Sequence, residues 1–187
     1  MTIAEIFGQI SQRMIEGLMT HSQLADYFGF LGLEGYQYCH IYHYFEENTN
    51  YKKVAGYYLK HYSKILIEKS FKNPNVIPED WWQFTREQVT EPVRKNAIKI
   101  GIEKWITWEK ETKKIYEQHY TNLINIGEIA AAAELEKYII DVDYELAEAE
   151  QFYITLSAID FSIKDIMMEQ EKEEKKYRKK IKEIELC

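Results

Sequence analysis

His43, Glu47 and Asn50 recur at i, i+4 and i+7 around the segment YFEENTNYKK. On a helix turning about 100° per residue they share one line with Tyr36, Cys39, Val54 and Tyr57. An imidazole and a carboxylate one turn apart are a fragment of a zinc or iron site. His21, His119 and Glu145 fall on or at the edge of the inward stripes of three other helical segments, so six polar groups could meet in one interior. Two chemistries are open to such a cluster. It could hold a metal, or it could be a network in which buried polar groups hydrogen-bond one another. The network needs no cofactor, and the expectation is a polar core cluster with neither metal nor catalytic residue. Glu109 falls to one side of its stripe and is left out. Nucleophilic chemistry finds little footing, because Cys39 lies on the core face, where a thiol is inert. No glycine-rich phosphate loop or nucleophile elbow is visible.

The elements that must position these groups are long helices. The chain of 187 residues has few Gly and Pro, 8 and 3, and all three prolines fall between 74 and 92. Periodic apolar positions predict helices over 3–31, 34–71, 90–127 and 128–159, with GLEG (32–35) as the first break and Thr90 as a cap ahead of Pro92. Short links make two antiparallel hairpins, and the segment between them is long enough to run the length of a bundle. Trp81 and Trp82 in that segment are expected either to anchor it on the bundle or to meet a partner. The expected architecture is all-α: a four-helix bundle over 1–160 and a charged helical tail over 161–187, either solvated or bound to a partner.

The formal charge is −7, with 45% hydrophobic and 29% charged residues. An acidic chain is poorly suited to general nucleic-acid binding, which needs a basic face. The opening MTIAEIFGQISQRM lacks the basic-then-apolar pattern of a secretory signal, and no apolar run nears the roughly 20 residues a membrane span needs. Cys39 and Cys187 lie far apart, which fits a reducing compartment, so a cytoplasmic location (a host cell, if phage-encoded) is expected.

Three segments together resemble the ferritin-like superfamily. LEGYQYCHIYHYFEENTN (33–50) is similar to the family's helix B run into Glu-Glu-x-x-His, WITWEKETKKIYE (105–117) to its helix C, and ELEKYIIDVDYELAEAEQF (134–152) to its helix D. The resemblance implies a bundle with a long B–C crossover, and it covers roughly residues 5–156. It also implies a degenerate di-iron site. The family's ligand positions fall on Met14, Asn50, Trp108 and near Val142, with Glu47 retained and Glu145 close by. Met, Trp and Val cannot replace oxygen ligands.

Helix B carries a second apolar stripe of Tyr38, Ile41, Tyr42 and Phe45, beside Tyr27 and Phe30 of helix A. A bundle helix needs only one stripe, so this face should be covered, by a second copy or a protein client. SQRMIEGLMTHSQLADYFGFLGLEGYQ with EKWITWEKETKKIYE also resembles small helical proteins of Firmicutes phages and integrative elements, among them type II anti-CRISPR proteins. That resemblance implies a non-catalytic counter-defence factor that inhibits a basic type II CRISPR nuclease by protein contact. The alternative is a ferritin-like di-metal oxidase or iron-binding protein.

Overall fold

The computed structural model describes residues 1–66, 74, 76, 77 and 85–185. These form α1 (Ile3–Phe30), α2 (Glu34–Tyr62), α3 (Glu91–Asn125), α4 (Ile129–Ala158) and α5 (Ile163–Glu185), with a single 3₁₀ turn at Arg86–Gln88. Among the described residues there is no strand, and no helix is long and apolar enough to cross a membrane. Trp81 and Trp82 lie outside the described residues.

Local chemistry sets the helix ends. Thr2 caps α1: its hydroxyl accepts from the Glu5 amide at 3.3 Å, and Glu5 accepts from the Thr2 amide at 2.8 Å. Gly32 adopts φ +76°, which lets the Leu33 amide donate back to Phe28 O at 2.9 Å. Gly127 repeats the device at φ +80°, with Glu128 N to Leu123 O at 2.9 Å. α2 stops at Tyr62, short of the expected Phe71, because Ser63 turns left-handed at φ 53°.

α1 and α2 form one hairpin and α3 and α4 the other, with α1 packed on α3. The apolar core is split in two. Leu24, Phe28, Ile98, Ile102 and Trp105 belong to one half, and Ile10, Met14, Val54, Tyr116 and Val142 to the other. The division falls at the same height on α1, α2, α3 and α4. His21 lies between Met14 and Leu24, His43 between Cys39 and Val54, Glu109 between Trp105 and Tyr116, and Glu145 between Val142 and Ala149. A polar layer therefore crosses the middle of the bundle.

The charged C-terminal segment is helical and packs along one side on the bundle. α5 lies along α2 and buries Ile166, Tyr177 and Ile181. It also covers the second stripe of α2. The Arg178 guanidinium sits 3.9 Å over the Tyr38 ring, the Lys180 ammonium 4.4 Å over Tyr42, and Tyr177 packs on Tyr42 at 5.8 Å. Ile41 and Phe45 are half-buried, and Phe30 packs on the first core half. Tyr27 is core rather than surface: it is 4% exposed, and its hydroxyl donates to Ala97 O at 3.0 Å.

Candidate metal centre

The polar layer draws on four helices. His21 (α1) directs Nε2 at Glu109 (α3), 3.6 Å from Oε1, and at Glu145 (α4), 3.8 Å from Oε2. His43 (α2) directs Nδ1 at Glu145 Oε2, 3.4 Å away, and at Glu46 Oε2, 3.1 Å away. Glu145 thus faces both imidazoles. The His21–Glu109–Glu145 and His43–Glu46–Glu145 groups each bring three ligand atoms within 4.8 Å of one another. Yet His21 Nε2, both ring nitrogens of His43 and Glu145 Oε2 are buried without a hydrogen bond of acceptable geometry. Buried polar atoms in folded proteins are nearly always satisfied, so His21 Nε2, His43 Nδ1 and Glu145 Oε2, which face one space, need a component that satisfies them.

Neighbours fix the ligand-bearing side chains. His21 Nδ1 lies 3.1 Å from His40 Nδ1, so one ring donates to the other. His40 stacks parallel to Phe28, centroids 5.3 Å apart and 3° off parallel, with the Trp105 ring centroid at 4.6 Å and tilted by 73°. The indole Nε1 of Trp105 donates to Glu109 Oε1 at 3.0 Å. Glu47 reaches toward α1 at Gly17, where an added Cβ would lie 2.5 Å from its Oε1. The missing side chain of Gly17 makes that approach possible. Arg13 is buried on the far side of the layer, stacked 3.4 Å over Trp108, with Nε donating to Thr112 Oγ1 at 2.9 Å.

Burial and mutual repulsion favour the protonated form of the carboxyls in the layer. Burial, then the Glu47 carboxylate, pushes Glu109 up to about 8. Burial and Glu145 raise Glu47 well above the carboxylate range, and burial raises Glu145 against the pull of His43. Burial holds His21 and His40 neutral, the form that ligates metals. Burial also opposes charge on His43, but Glu145, Cys39 and Glu148 together outweigh it and raise the imidazole well above its usual value. Three carboxylates that must share protons in one dry space are what a divalent cation would ionise together.

Of the six residues expected to cluster, His21, His43, Glu47 and Glu145 do. Asn50 is half-buried in the wall of a groove along α2 and α4, which His43, Glu46, Glu145 and Glu148 also line. His119 is buried ten residues beyond Glu109, roughly 15 Å along α3 by helical rise, with burial alone lowering its pKa. Four members of the layer were not among those six: Glu46, which stands 3.1 Å from His43 Nδ1, and Glu109, His40 and Glu148. Glu109 is 1% exposed and points inward, correcting the wheel that set it aside. His40 was signalled by the spacing His40-x-x-His43, and Glu148 by Glu145-x-x-Glu148. Of the positions that the resemblance assigned to ligands, Met14 and Val142 sit in the second apolar half, and Trp108 stacks on Arg13. The donors present stand beside those positions, or two turns on.

No protein-family model matches this chain. No curated protein matches it either. Among solved structures, an engineered closed form of the Archaeoglobus fulgidus ferritin superposes with a TM-score of 0.73, covering 93% of this chain and 96% of that one. The fold is ferritin-like. At 13% identity the likeness carries the architecture of the ferritin-like bundle and not its ligands.

Proposed function

We propose that this chain is a ferritin-like metal-binding protein whose centre holds a divalent first-row transition ion such as iron(II). The observation that carries this is the meeting of His21 Nε2 and Glu145 Oε2, both buried and both without a hydrogen-bond partner, beside Glu109. An imidazole with carboxylates is a donor set that suits iron, manganese or zinc. His21 would bind through Nε2, since Nδ1 is engaged by His40. Glu109 would bind in the orientation that Trp105 sets, and Glu145 would link the His21 and His43 sides. A redox-active ion held there would supply electron-transfer chemistry that side chains lack. The two apolar halves keep bulk water from the layer, while the groove beside His43 gives ions a way in.

The counter-defence reading draws no support from the comparisons, where the matched structure is a ferritin. The aromatic face expected to meet a second copy or a client lies against α5. Anaerobic titration with iron(II), followed by desalting and metal analysis, tests the proposal. The chain should retain about one equivalent or more, and Glu109→Gln and Glu145→Gln should each weaken binding by at least about tenfold. A folded chain that retains no iron, manganese or zinc would end the proposal.

A further inference from the structure

The polar layer has a third group of donors, on the Nε2 side of His43, away from Glu145. Cys39 and His43 stand one turn apart on α2, and Glu148 of α4 faces them. Their ligand atoms all lie within 4.8 Å of one another, with Cys39 and His43 buried and Glu148 half-buried. His43 Nε2 is aimed into this group, 3.4 Å from Glu148 Oε2, yet has no hydrogen bond of acceptable geometry. Cys39 is a free thiol, 1% exposed.

We propose that Cys39, His43 and Glu148 form a second metal site, sulfur-containing and distinct from the His21–Glu109–Glu145 centre, suited to zinc or another borderline divalent ion. A tetrahedral ion at ordinary bond lengths sets its ligand atoms roughly 3.3–3.8 Å apart. His43 Nε2 and Glu148 already stand at that spacing. The other atoms need only a small side-chain closure. The surroundings fit as well. A metal-bound histidine ordinarily donates its second ring N–H to a carboxylate, and His43 Nδ1 faces Glu145 and Glu46 at 3.4 and 3.1 Å. The ligating carboxylate is itself held: Tyr177 of α5 donates to Glu148 Oε1 at 2.5 Å, and Lys176 reaches the same oxygen at 3.1 Å. His43 and Glu148 line the groove, which gives the ion a path. On binding, the Cys39 thiol gives its proton to solvent, as does His43 Nε2 where it carries one, so affinity rises with pH.

Cobalt(II) titration of the full chain, followed by absorption spectroscopy, tests this. The wild type should develop a near-ultraviolet sulfur-to-cobalt charge-transfer band. Cys39→Ser should abolish the band, and Cys187→Ser should leave it intact. Glu148→Gln, at a position open to the groove, should weaken the titration by at least about tenfold with helicity unchanged. His21→Ala should keep the charge-transfer band, so failure of the carboxylate centre and failure of this site read differently. A folded wild type without that band at saturating cobalt, or a band that persists in Cys39→Ser or vanishes in Cys187→Ser, would overturn the proposal.

Discussion

At the scale of the residue, Glu109 decides how the metal-free protein responds to pH. Burial and Glu47 raise its folded pKa to about 8, against an ordinary value of 4.5. A carboxyl with a raised folded pKa binds its proton more tightly in the native state. Its contribution is present below the unfolded value and is lost as pH rises through the folded one. His43, also raised, carries the same sign. Urea midpoints measured with a chelator present should therefore fall between about pH 6 and pH 8.5. With a divalent ion bound, the carboxylates are ionised against the metal and the fall should shrink or vanish. A metal-free midpoint that rises over this range would contradict the buried-carboxylate assignment. Gly17 offers a second test at this scale. Gly17→Ala places a methyl where the Glu47 carboxylate sits, so that carboxylate must move. The change should perturb metal binding more than helicity, read by the same titration beside circular dichroism.

At the scale of the element, α5 is a structural part of the bundle. Its apolar side buries Ile166, Tyr177 and Ile181 against α2, while its opposite side is charged. Tyr177 is fully buried, so Tyr177→Ala should cost about 3–5 kcal/mol, the range for deleting a large buried aromatic. It should also free Glu148, which Tyr177 holds at 2.5 Å. Arg178 is a useful contrast. It lies over Tyr38 and pairs with Glu174, but its side chain is half exposed. Arg178→Ala should cost no more than about 1 kcal/mol, because exposed cation–π contacts and ion pairs contribute little. Equal losses from the two substitutions in urea unfolding would mean that α5 is held by surface charge and not by burial.

At the scale of the whole molecule, the polar layer sits between two apolar halves and couples them. Each half has its own packed aromatics: Phe28 with Tyr36 in one, Phe7 with Tyr58 in the other. Between them, buried carboxylates repel unless protons or a cation compensate. A ligand that binds only the folded chain adds about 2.7 kcal/mol at a hundred times its Kd. Saturating metal should thus raise the thermal midpoint by several degrees, and a chelator should reverse the shift. Calorimetry with and without chelator reads this directly. A midpoint indifferent to metal would place the stabilising interactions in the apolar halves alone.

The order of helices, the two hairpins and the long connection were legible in the sequence, because capping residues, Gly32, Gly127 and 3.6-residue periodicity act locally. So was the inward line of His43, Glu47 and Cys39, which one helix settles by itself. The tertiary structure decided which carboxylates meet. A helical wheel assigns inside and outside from the average of one helix's own apolar side chains. The buried arc of α3 is instead set by its neighbours, α1 and α4, and it widens to take in Ile98, Gly101, Ile102, Trp105, Trp108, Glu109 and Thr112. Glu109 enters the interior on that wider arc, against the wheel. The same holds for the aromatic stripe of α2. Its need for cover was written in its residues, but that α5 of the same chain supplies the cover depends on a helix more than a hundred residues away folding back onto it. Contacts across such separations leave no local periodic signal, so only the packed structure places them.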